Sequence, residues 1–237
     1  MAEPPTRWRP EQVTEWLQAL ARPEDLAGMA RFGIGVKGAY GVKVPAMRAL
    51  AKEIGRDHEL AELLWRHGVR ETMVVATLVA DPQRVDESLM ERWVVDFADW
   101  EVCDQCCVNL FGRTPLACAK ALEWSAREAE FVKRAGFVLM ARLAATEKGA
   151  APEYLAPFHA AIRHEACDDR NYVKKAVSWA LRHIGKRDLA SNAAAVETAQ
   201  ALRAMDCRAA RWIAADALAE LTGDAVRARL TTKAARE

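Results

Sequence analysis

Apolar residues in this chain recur three and four positions apart and seldom two, so the pattern predicts helices along most of its length. Val13, Trp16, Leu17 and Leu20 mark one stripe and predict a first helix from about Glu11 to Ala21. Pro23-Glu24-Asp25-Leu26 opens a second, with proline and acids in its first turn. From Met29 to Arg48 the pattern is broken by Gly33, Gly35, Gly38 and Gly41, which predicts a loop, and Pro45 opens the next helix through Ile54. Beyond Arg56 the helices come in pairs. His58 to His67 is followed by Arg70 to Val79, Asp86 to Phe97 by Trp100 to Phe111, and Pro115 to Glu123 by Ala129 to Ala144. Tyr154 to Arg163 is followed by Tyr172 to Ile184, and Ser191 to Leu202 by Cys207 to Leu221. The second members resemble one another at intervals of roughly thirty to forty residues, the spacing of helical solenoid repeats. No pair buries its apolar face alone. The expectation is an all-α chain in one domain over residues 1–237, a curved α-solenoid whose second helices line the inner surface, behind a proline-rich, poorly ordered tail over residues 1–10.

Phe97 to Phe111 organises the rest. As a helix, Val102, Cys103, Cys106, Cys107, Leu110 and Phe111 make a broad buried face, while Trp100 and Asp104, four apart, share one shoulder. Phe131 to Arg142 and Tyr172 to Arg182 repeat the design, with cations and a further tryptophan where the first segment has acid. Stacked in parallel, these helices put Asp104, Arg134, Lys175 and Trp179 on one shared surface.

Charge changes the picture little in sum and more in distribution. The formal net charge of +1 argues against a strongly basic nucleic-acid binder. Between Arg127 and Arg187, however, cations cluster at Lys133-Arg134, Arg142, Lys174-Lys175, Arg182-His183 and Lys186-Arg187. They make either a basic face or an ordinary solvated helix surface. Of the six cysteines only Cys103, Cys106 and Cys107 cluster, while Cys118, Cys167 and Cys207 stand alone. Without a second ligand pair they read as small buried apolar thiols and no metal is expected. The glycine loop has neither the phosphate-loop nor the dinucleotide spacing, so no nucleotide cofactor is expected. The N-terminus lacks the order of a signal peptide, and no apolar run reaches the eighteen or so residues of a membrane helix. The expectation is a soluble intracellular protein.

Arg31-Phe-Gly-Ile with Gly41-Val-Lys-Val-Pro-Ala-Met-Arg48, Trp100-x-x-x-Asp104, Val132-Lys-Arg134-Ala and Val173-Lys-Lys-Ala-Val-Ser-Trp179-x-x-Arg182 together resemble the AlkD-like DNA alkylation repair glycosylases, from about residue 25 onward and in matching order. The resemblance implies a right-handed solenoid of HEAT-like repeats with a concave DNA-binding groove. It implies excision of positively charged N3- and N7-alkylated purines from duplex DNA, without base flipping, in base excision repair. The family's catalytic aspartate falls on Asp104 and its cleft tryptophans on Trp100 and Trp179. Its cleft arginine falls on Arg134 and a phosphate-contacting arginine on Arg182. Lys133, Lys174 and Lys175 join them as cations, and Lys43 and Arg208 match DNA-side positions. Phe32 stands where the best known member has a tyrosine, and Asp99 where it has a second aromatic. The implied protein needs no cofactor, acts as a monomer on double-stranded DNA containing alkylated bases, and resides in the bacterial cytosol and nucleoid.

The chemistry agrees with the residues. An alkylated purine already carries positive charge and leaves without a general acid, so one carboxylate suffices to stabilise the cation that develops on the deoxyribose. Taken singly, Trp100 and Trp179 read as core residues and Arg134 as a surface cation; taken together they read as a cleft. Trp65, Trp93, Trp124 and Trp212 read as packing residues. The alternative from a different class is a noncatalytic HEAT-like module that binds DNA or protein.

Overall fold

In the computed structural model, which describes residues 7–147 and 152–235, the periodicity becomes fourteen α-helices and three short 3-10 turns, with no strand among the described residues. The contacts group these into two compact units, Met1–Thr114 and Pro115–Glu237.

The first unit holds α1 (Pro10–Ala19), α2 (Pro23–Arg31), α3 (Val44–Ile54), α4 (His58–Arg66), α5 (Arg70–Val79), α6 (Glu87–Val94) and α7 (Trp100–Asn109). Prolines open α1, α2 and α3, where a missing N–H costs nothing. Asp57, Asp86 and Asp99 cap α4, α6 and α7 by accepting from backbone N–H groups of the first turn. The helices α3, α5 and α7 pack successively on one another, and α4 packs on α5. Val13, Leu17, Met47, Leu50, Leu64, Val74 and Val75 are fully buried between them. At one end Trp65 stacks on Trp93 with ring centroids 4.0 Å apart, and Phe97 meets Trp65 edge-on.

The second unit holds α8 (Ala117–Ser125), α9 (Glu130–Thr146), α10 (Ala156–Glu165), α11 (Asn171–Gly185), α12 (Leu189–Arg203), α13 (Arg208–Leu221) and α14 (Asp224–Ala234). Here α9, α11 and α13 stack in series, each on the first helix of its own pair or the next. Helix α9 is buried almost all round. Its approach to α8 depends on Gly136, where a Cβ would lie 2.4 Å from the Ser125 nitrogen and 2.8 Å from the Ala121 oxygen.

Three features differ from the sequence expectation. The glycine loop is shorter than 29–48, because α2 reaches Arg31 and α3 begins at Val44. Helix α14 follows the predicted repeats; it buries only Leu230 and so leaves no apolar stripe to read. The third concerns the lone thiols. Cys103, Cys106 and Cys107 are buried free thiols, but Cys167 and Cys207 form a disulfide rather than standing alone. Their separation of 40 residues is one repeat, and they occupy the turns before α11 and α13, which the stacking brings side by side. The expectation of a flexible tail over residues 1–10 falls largely on residues outside those described, and Pro10 already opens α1.

Candidate functional site

In the first unit the candidate residues are set by a buried polar network beneath the glycine loop. Glu71 of α5 is fully buried and accepts from the backbone nitrogens of Tyr40, Gly41 and Val42 at 3.1, 3.0 and 3.2 Å. Arg70 bonds Glu71 at 2.8 Å, the Val42 carbonyl at 2.9 Å and Glu101 of α7 at 2.5 Å. Burial alone would lower the Arg70 pKa, but the bonds and charges of Glu101 and Glu71 outweigh it and hold the pKa above its ordinary value. Gly41 has a positive φ of 79°, and a Cβ there would strike the Arg22 carbonyl oxygen at 2.2 Å.

Asp99 explains its own departure from the family pattern. It is 5% exposed; one carboxylate oxygen caps α7 and the other accepts from the Gly35 nitrogen at 3.0 Å. The acid is thus a structural clasp between loop and helix, and adds no free charge next to Trp100. Trp100 is the first residue of α7 and half-buried, and its Nε1 donates to the Phe32 carbonyl at 2.9 Å. Asp104 lies one turn further on, also half-buried. Phe32, at the end of α2, is 72% exposed, the most exposed of the large apolar side chains described. Three of the sequence candidates therefore meet here: an indole held by a loop carbonyl, a carboxylate on the same helix and a protruding phenyl ring. Lys43 precedes α3, exposed, with its Nζ 3.5 Å from Asp25.

In the second unit Trp179 of α11 is half-buried, edge-on to His183 at 5.7 Å. A cavity of about 450 Å³ is lined by Trp179, Lys175 and Arg182 of α11 with Trp212 and Asp216 of α13. Lys175 is exposed. Arg182 lies 3.3 Å from Asp216 and bonds Glu220 at 2.7 Å. Lys174 stands over the Trp212 ring, 5.4 Å from its centroid. Arg208 is the exposed first residue of α13. Trp212 is the residue that sequence reasoning missed. Trp65, Trp93 and Trp124 are buried packing residues, whereas Trp212 is 39% exposed and shares the cavity with Trp179. Its spacing from Arg208, four residues along α13, was the available signal.

Two candidates belong to the interior. Lys133 is 5% exposed, bonded to Glu165 at 2.5 Å and 3.4 Å from Asp168. Burial acts to lower its pKa, and the two carboxylates reverse this to a net rise. Its ammonium, a DNA-contacting candidate in the sequence, is enclosed between these two acids and ties α9 to the segment before α11. Arg134 is 6% exposed and donates to the Tyr172 carbonyl at 2.7 Å, holding the start of α11.

Among the described residues no helix is long and apolar enough to cross a membrane, and no group of three or more histidine, cysteine, aspartate or glutamate side chains could hold a metal ion.

Comparison with known proteins places this arrangement. A solved structure described as "a new family of proteins related to the HEAT-like repeat DNA glycosylases with affinity for branched DNA structures" aligns with a TM-score of 0.74 and 22% identity, over 81% of this chain and 83% of its own. That likeness gives the fold: the helices are HEAT-like repeats. An engineered protein aligns over 91% of this chain and all of its own at 16% identity, with a TM-score of 0.41 too low to bear on the fold. No curated protein matches. Residues 13–221 match the family described as "DNA alkylation repair enzyme", and by that match over most of its length the chain belongs to the DNA alkylation repair family.

Proposed function

We propose that this protein is a DNA glycosylase that excises cationic N3- and N7-alkylated purines from duplex DNA without base flipping. The observation that carries the reading is the pair on α7: Trp100, fixed through its Nε1, and Asp104 one turn away and partly open to solvent. As the glycosidic bond stretches, positive charge develops on the deoxyribose. The Asp104 carboxylate stabilises it and orients the attacking water. At 4 Å and an effective dielectric near 20, such a pair is worth about 4 kcal/mol before desolvation. The indole face of Trp100 adds about 0.5 to 2 kcal/mol against the same cation. Lys43, Lys174, Lys175, Arg182 and Arg208 hold phosphates and position the duplex without reading its sequence. Arg134 acts by fixing the start of α11, whose lysines and Trp179 it thereby aligns. The protein acts as a single-domain monomer, in a cytosolic setting where DNA is the partner.

The test is release of N7-methylguanine or N3-methyladenine from alkylated duplex DNA by the purified protein. Release supports the glycosylase. A second reading is favoured by the solved relative described as having affinity for branched DNA structures. On that reading the chain is a noncatalytic DNA-binding module. Salt-dependent binding to branched or plain duplex DNA with no base released selects it.

A further inference from the structure

Two neighbouring helices of the second unit each place a cation one turn ahead of a tryptophan. Lys175, Trp179 and Arg182 recur along one face of α11, and Arg208, Trp212 and Asp216 along one face of α13. Because α11 packs on α13, the two faces converge, and all of these except Arg208 line the cavity of about 450 Å³. An indole gains most by burial, as Trp65, Trp93 and Trp124 show, yet Trp212 stays 39% exposed. Packing does not explain its place.

The ions along the α13 wall are matched. Arg182 bonds Glu220 at 2.7 Å and lies 3.3 Å from Asp216, which also accepts from the Ser178 hydroxyl at 2.5 Å. Lys186 bonds the second Glu220 oxygen at 2.7 Å. His183, edge-on to Trp179, adds no charge near neutral pH: burial first, then Lys186, Arg182 and Arg229 lower its pKa to about 4, with Glu220 opposing. The rim differs. Among the described residues Lys174, Lys175 and Arg208 form no ion pair. The Lys174 ammonium stands over the Trp212 ring from outside the cavity lining, so it steadies the indole on one side and leaves the cavity side open.

Two indoles that share a cavity without stacking on each other, with unmatched cations within a turn of both, form the combination that holds single-stranded nucleic acid. Bases stack on the rings while backbone phosphates lie on the cations, and any base serves because every base has a π-face. Inside a duplex each base face is already covered by its neighbours. The cavity also admits a flat heterocycle and not a double helix. We propose that Trp179 and Trp212 receive an unpaired base of a DNA strand, with Lys174, Lys175 and Arg208 on the phosphates beside it. The inference rests on the DNA-binding reading above and is independent of base release.

The experiment follows the indole N–H resonances of Trp179 and Trp212 by NMR on the full chain, assigned with Trp179→Phe and Trp212→Phe. The probes are an oligothymidylate of about ten nucleotides, within the site sizes of single-strand binders, and separately thymidine monophosphate and a blunt duplex. Both indoles shift with the single strand, and the strand binds more tightly than the mononucleotide. By fluorescence anisotropy a duplex with a short single-stranded gap binds more tightly than the same duplex without one. Trp212→Ala lowers affinity for the gapped DNA about 5- to 150-fold, the loss of one stacked base, and abolishes the preference for the gap, whereas Trp212→Phe restores most of it. A merely structural role for Trp212 would instead weaken both DNAs together. No shift of the Trp212 indole with the single strand, measured on the unmodified chain, overturns the proposal, as does a preference for the gap that survives in Trp212→Ala. Thymidine monophosphate binding as tightly as the strand overturns it in favour of a site for free nucleotides. Base release from alkylated duplex without those indole shifts sinks this inference alone, and the shifts without base release uphold it while the glycosylase reading fails.

Discussion

Replacing Glu71 with alanine removes the carboxylate that organises the glycine loop. Glu71 is fully buried, and the change deprives the backbone nitrogens of Tyr40, Gly41 and Val42 and one Arg70 donor of their acceptor. Arg70 keeps Glu101, so its charge is not stranded. The loss is the desolvation of three backbone donors plus one arm of a buried ion-pair network, about 3 to 5 kcal/mol. With a urea m-value near 2 kcal/mol/M, the midpoint of the first unit's unfolding transition falls by about 2 M. The assay is urea denaturation followed by tryptophan fluorescence. Glu24→Ala serves as the control, a side chain 64% exposed whose ion pair is with the exposed Arg22, expected to cost under about 1 kcal/mol. A loss below about 1 kcal/mol for Glu71→Ala would show that the loop does not hang on this carboxylate, and the explanation of how Phe32 and Trp100 are positioned would fall with it.

Further outcomes follow from other residues. Gly136→Ala drives a Cβ into the α8 backbone and should cost about 1 to 3 kcal/mol by calorimetry, where an exposed helical glycine would be stabilised by the same change. Lys133→Met leaves Glu165 and Asp168 without their shared cation and should cost about 3 kcal/mol, with the salt-dependence slope of duplex binding unchanged; a slope lower by about 0.9 would make Lys133 a phosphate contact after all. His183 titrates near 4 in the folded chain and near 6.5 unfolded, so between these values the unfolded chain binds more protons and stability falls as pH drops. His183→Leu should flatten that part of the stability profile, and an unchanged profile would contradict the burial and charge assigned to the ring.

Much of this architecture was legible in the sequence because helix pairs must bury stripes of three-and-four spacing. Trp100 and Asp104 were legible for the same reason: four residues on one helix fix their neighbourhood whatever the rest does. Burial of individual cations was not. Lys133 reads as a surface lysine until Glu165 and Asp168, more than thirty residues away, close over it. Asp99 looked like an added charge beside Trp100, and only the loop's return to α7 turns it into a cap and clasp. The disulfide was hidden because its partners are adjacent only once repeats stack. Helix α14 left no apolar signal, being held largely through cations on backbone carbonyls.

The account rests on one carboxylate, and the most direct measurement is the single-turnover rate of N7-methylguanine release from alkylated duplex by Asp104→Asn beside the unchanged protein. Asparagine keeps the size and half-buried setting but removes the charge that stabilises the sugar cation. With about 4 kcal/mol at stake, the account predicts a fall on the order of a thousandfold with duplex binding retained. An undiminished rate in the variant would contradict it.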